Sequence, residues 1–203
     1  MTEPGAGVPG GLARIRDLSE RGLSRAAESL ARLLGYPVRF ASLEIQRSRS
    51  SALPDLADAA AGSLAALRIA IHGQGSGWIL ILLPLPTVYR FLQVLMGTPA
   101  EPRDLTATER SAIQEVGNIV ASSFLSELGD RVGQRFLPSA PECYLTGVPE
   151  AVRDVLASVH RLGSDVLVVQ AALEDGEGRV QGRIFIMPDV GAWEPVGRGA
   201  ASG

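Results

Sequence analysis

The chain contains no lysine; all 19 of its basic residues are arginine. A P-loop, a Schiff-base enzyme and a protein kinase each need a lysine ammonium at a fixed place, so those classes are excluded. One cysteine, Cys143, rules out an internal disulfide and any cysteine-based zinc finger, and fits a reducing cytoplasm. The two histidines, His72 and His160, lie far apart without metal-site or triad spacing, and each reads as a surface or edge residue. The N-terminus lacks the basic and apolar regions of a signal peptide. The longest strongly apolar run, Trp78 to Leu85, is too short to span a bilayer, so a soluble cytoplasmic protein without membrane insertion is expected. A basic excess is missing too. With a net charge of −3, a pI near 5.5 and scattered arginines, the chain has no patch to replace phosphate counterions, and nucleic acid is not an expected partner.

What is present is enough for a core: 203 residues, 46 % of them hydrophobic. Leu12, Ile15, Leu18, Leu23, Ala26, Leu30 and Leu33 recur at near-helical spacing until Gly35 and Pro37 stop them, giving a helix of roughly twenty residues. An irregular strand follows from Val38 to Arg47. Residues 48–62 read as a loop with at most a short helical turn. Leu64 to His72 and Trp78 to Leu83 form a hairpin whose second strand is almost wholly apolar, as expected for a central strand covered on both faces. Val88, Phe91, Leu92 and Leu95 make a short amphipathic helix, read as core, and 98–104 is a linker. After a second long helix come a loop carrying Pro138 and Pro141, a short strand near Cys143 to Leu145, a helix over 149–159, and a second hairpin, Asp165 to Leu173 with Arg179 to Met187.

The two halves repeat one order: long helix, strand, linking segment, hairpin, proline exit. Ile81-Leu-Leu-Pro84 is matched by Phe185-Ile-Met-Pro188. An internal duplication predicts a pseudo-twofold α/β (α+β) unit in which two long helices pack on one antiparallel sheet. The expected boundaries are a disordered tail over 1–10, a single domain over 11–190 with halves 11–98 and 104–190, and a second disordered tail over 191–203.

The second long helix carries the distinctive chemistry. Thr106-Ala-Thr-Glu109 has capping-box spacing, and Gly129 or Gly133 marks the end. Ser111, Glu115, Asn118 and Ser122 fall at i, i+4, i+7 and i+11, along one face, while Ile113, Val116, Val120 and Phe124 form another stripe. Ser111 to Asn118 spans about 10 Å at 1.5 Å per residue. Asn118 is the chain's only asparagine. Together with the adjacent Gly117 it costs the helix roughly 1 to 1.5 kcal/mol of propensity relative to alanine. Gly117 is where another segment could approach closely.

Ser111, three residues, Glu115, two residues, Asn118, twenty-two residues and Pro141 resemble the signature of the CheC/CheX/FliY-type (CheC-like) chemotaxis phosphatases, in all four positions and all three spacings. Glu115-Val-Gly-Asn118-Ile and Phe124-Leu-x-x-Leu128 are similar as well, and the duplicated architecture extends the resemblance over roughly residues 10 to 190. The resemblance implies a pseudo-twofold α/β fold and hydrolysis of the phospho-aspartate of a CheY-like response regulator. It implies that Glu115 docks on a lysine of the regulator and that Asn118 orients the attacking water. It makes Ser111 and Pro141 supporting residues, and places Mg²⁺ on the regulator, so that this chain binds no cofactor and supplies no metal ligand. A CheD-type deamidase is a further partner the resemblance suggests. In the first helix, Ala13, Asp17 and Glu20 occupy the positions of Ser111, Glu115 and Asn118, which leaves one active centre, in the second half. The alternative is a non-catalytic module, related to flagellar switch proteins, that only captures a regulator or CheD.

Overall fold

The structure, a computed structural model, describes residues 9–49, 64–162 and 165–189. The expected tails fall mainly on 1–8 and 190–203, and most of the expected 48–62 loop on 50–63, all outside the described residues. Helix α1 spans Pro9–Leu34, beginning before Leu12 because the backbone is already helical through the preceding glycines. Among the described residues the further helices are α2 (Leu85–Met96), α3 (Ala107–Val132) and α4 (Val148–Leu162).

Among the described residues seven strands form one antiparallel sheet: β1 (Val38–Arg49), β2 (Leu64–Gly73), β3 (Gly77–Pro84), β4 (Phe136–Pro138), β5 (Glu142–Tyr144), β6 (Asp165–Asp175) and β7 (Gln181–Pro188). Strand β4 corrects the expected loop through Pro138. Its three residues pair with the outer side of β2, where a proline that cannot donate is tolerated at the strand's end. The irregularity expected in the first strand is a bulge between Ala41 and Glu44, where Ser42 takes a φ of 53°.

The strand order is β1-β6-β7-β3-β2-β4, with β5 also on β2. Exchanging β1 with β4/β5, β2 with β6 and β3 with β7 reads the same order backwards, so the sheet has the expected pseudo-twofold between β3 and β7. The halves are interleaved, not side by side. Each half's first strand pairs with the other half's hairpin: β1 with β6, and β4 and β5 with β2.

Alternation along the central strands feeds two cores. Ile79, Ile81 and Leu83 of β3 join α1, α2 and α3 on one face, whereas Leu80 and Leu82 pack with Val148, Val152, Val155 and Val159 of α4 on the other. This double cover explains the apolar run of β3 in a sheet type that often leaves one face to water. The short helix α2 is core, as read: Val88, Phe91 and Leu92 are fully buried.

The two long helices touch across Gly22, where a Cβ would lie 2.6 Å from the Phe124 ring. Phe124 is fully buried and has no room to retreat. Gly22→Ala is therefore expected to lower Tm: overpacking of about 1–3 kcal/mol outweighs a helix-propensity gain of about 1 kcal/mol at most. An unchanged or raised melting temperature would contradict this packing.

Candidate functional site

The N-terminus of α3 sets which residues face outward. The Thr106 backbone N–H donates to Glu109 Oε2 at 2.8 Å, and the Thr106 hydroxyl accepts from the Glu109 N–H at 3.3 Å, completing the capping box. Arg103 pairs with the same carboxylate, which is buried. The backbone bond from Thr106 is the main cause holding the Glu109 carboxyl below its usual range, against burial. At the other end Gly133, not Gly129, is the cap: its N–H reaches the Gly129 carbonyl from a left-handed backbone.

With this register Ile113, Val116, Val120 and Phe124 turn into the core, Ser111 and Glu115 are exposed, and Asn118 and Ser122 are half-buried. Three of the four polar side chains form a line. Ser122 Oγ donates to Asn118 Oδ1 at 3.4 Å, and Asn118 Nδ2 donates to Glu115 Oε2 at 3.5 Å. Ser111 shares the face but not the line, because its hydroxyl turns back to the Ala107 carbonyl at 3.0 Å.

Pro141 lies beside this line although twenty-two residues separate it from Asn118. It is buried, and a Cβ on Gly117 would stand 3.6 Å from Pro141 Cβ and 2.9 Å from Leu67 Cδ1. The missing side chain thus lets β2 and the segment between β4 and β5 close on the helix, as the glycine suggested. Gln114 completes the join: its Nε2 donates to the Pro141 carbonyl at 2.6 Å. Sequence reasoning missed Gln114 and Leu67, since a glutamine on a helix and a leucine on a strand carry no local signal. Cys143, on the adjoining β5, is half-buried against the main core, and burial pushes its thiol up.

The first half repeats the frame without the amide. A shift of 98 residues carries Pro9 onto Ala107 and Leu34 onto Val132. The same shift carries Arg16 onto Gln114 and Leu43 onto Pro141, and the Arg16 guanidinium donates to the Leu43 carbonyl at 3.1 Å as Gln114 does to Pro141. On that face Ala13, Asp17 and Glu20 stand where Ser111, Glu115 and Asn118 stand on α3. Asp17 is held by Arg21 at 3.0 Å, which keeps its carboxyl below the usual range.

The site is an open helix face. Cavities of about 470 Å³ lie elsewhere, one over β1, β6 and β7 and one at the β2–β3 turn. A small substrate would be expected in a concave pocket, whereas an outward carboxylate and amide suit a macromolecular surface. Among the described residues no three of His, Cys, Asp and Glu cluster as metal ligands, and no helix is long and apolar enough to cross a membrane.

Residues 109–145, which hold Glu115, Asn118 and Pro141, match the model of the CheC-like family. Over 188 residues the chain is 24 % identical to the CheY-P phosphatase CheC of Bacillus subtilis (strain 168), covering 89 % of this chain and 88 % of that one. Among solved structures, Thermotoga maritima FliY superposes with a TM-score of 0.65 at 15 % identity, covering 94 % of this chain and 96 % of the other. A chain of the H. pylori FliG–FliM complex superposes with a TM-score of 0.64 at 10 % identity, covering 95 % and 100 %. At those identities the two structures speak for the fold alone. The family model thus falls on the helix and loop just described, and along nearly all of its length the chain is similar to a CheC-type relative.

Proposed function

We propose that this protein is a phosphatase for the phospho-aspartate of a CheY-type receiver, working in the cytoplasm with one active centre on α3. The observation that carries the reading is the outward-facing line of Glu115 and Asn118. Its support is the relative described as a CheY-P phosphatase.

An acyl phosphate is already activated, so the protein's task is to place water and to match charge spread over the phosphoryl oxygens. Docked on the receiver, Glu115 meets a lysine ammonium as a charge-assisted pair. Asn118 then lies over the phosphoryl group, its Oδ1 accepting from the attacking water and its Nδ2 donating without bringing a negative charge. The water oxygen bonds to phosphorus in line, the bond from phosphorus to the aspartyl oxygen breaks, and the electron pair leaves with the carboxylate. The water's proton stays with the inorganic phosphate. Mg²⁺ belongs to the receiver in this reading. Pro141 acts as a wall behind the amide, and Ser111 supports the docking face.

A second reading is favoured by the fold shared with the chain from the FliG–FliM complex. In it the face only captures a receiver or a CheD-type protein. The two readings separate in one assay, the decay of acetyl-phosphate-labelled CheY-type receivers of the same organism with and without the protein. Acceleration by the wild type that falls about 100-fold or more in Asn118→Ala, with binding retained, supports hydrolysis. No acceleration of any such receiver overturns it in favour of capture.

Glu115→Ala is expected to weaken receiver binding about tenfold or more, and to flatten its salt dependence. An unchanged Kd and rate would remove Glu115 from the docking role.

A further inference from the structure

We propose that Ser122 is a positioning residue that fixes which end of the Asn118 amide faces the reacting group; the inference rests on the phosphatase reading above. A side-chain amide has two ends of opposite hydrogen-bonding sense and nearly equal shape, so a turned amide would present the wrong atom to water and phosphoryl oxygens. In the free protein two neighbours hold it. The Glu115 carboxylate only accepts and so claims Nδ2, at 3.5 Å, while the Ser122 hydroxyl donates to Oδ1 at 3.4 Å.

Docking removes one of these holds. Once Glu115 turns to the partner's ammonium, Nδ2 is released toward the phosphoryl oxygens. Ser122 remains on Oδ1, whose second lone pair is free for the water. The direction of the Ser122 hydroxyl also departs from the ordinary habit of a helical serine. Ser111 and Ser158 donate to the backbone carbonyl four residues back, at 3.0 and 2.8 Å, whereas Ser122 donates to the side chain at that spacing. Its half-buried place leaves its hydroxyl only partly open to water. The long distances suit a resting site, since such bonds tighten when substrate is bound.

The test is steady-state dephosphorylation of the acetyl-phosphate-labelled receiver that the wild type accelerates, with kcat and KM separated. Ser122→Ala is expected to lower kcat about 2- to 10-fold, the worth of one hydrogen bond, and to leave KM and the thermal melt as in the wild type. Ser122→Thr, which keeps the hydroxyl, restores kcat, while the isosteric Ser122→Val does not. In an Asn118→Ala background, Ser122→Ala causes no further loss, because the group it orients is gone. Wild-type kcat in Ser122→Ala, equal activity of the Thr and Val variants, or a loss that repeats in full without Asn118 each overturns the positioning role. Absence of acceleration by the wild type overturns instead the reading beneath it.

Discussion

The missing side chain at Gly117 is the constraint on which the site depends. A Cβ there would press on the Leu67 side chain and lie in contact with Pro141, so the bare backbone lets β2 and the segment between β4 and β5 sit close to the helix without displacing Leu67. This approach turns Val116 inward and leaves Glu115 and Asn118, on either side of the contact, facing out. Gln114 then ties the same helix turn to the Pro141 carbonyl, so packing and hydrogen bonding restrain one segment together. The propensity cost of a glycine in mid-helix is set against this close packing.

The interleaved duplication explains how one half can keep the frame and differ in the polar face of its long helix. Since β1 completes the sheet beside β6, and β4 and β5 complete it beside β2, neither half's hairpin is finished without the other. A long helix, its glycine-ended C-terminus and the tether from the helix to its strand are accordingly present in each half. The tether persists with different donors, Arg16 in one half and Gln114 in the other, because the carbonyl it satisfies exists in both. Nothing in the fold demands an amide at position 20. Glu20 is exposed there, next to an Asp17 already engaged by Arg21.

Much of this was legible in the chain. The capping box at Thr106, the stripe of Ile113, Val116, Val120 and Phe124, the two hairpins and the doubled cover of β3 follow from local rules of spacing and capping. Strand β4 was not legible, because three residues ending in proline look like a loop until a partner edge is known. The choice between Gly129 and Gly133 was equally closed to sequence. Gly129 is buried where a Cβ would meet the Gln134 carbonyl at 2.5 Å, which is a contact and not a cap.

The sequence by itself determined the start of α3, the polar stripe along it, the solitary amide and the repeat of the two halves. These are short-range properties of an α-helix and of composition, and they need no knowledge of what lies across the core. Tertiary structure alone decided that β1 pairs with β6 and that Pro141 and Leu67 close on Gly117. Those outcomes depend on contacts between residues distant in the chain, and spacing along a sequence does not carry them.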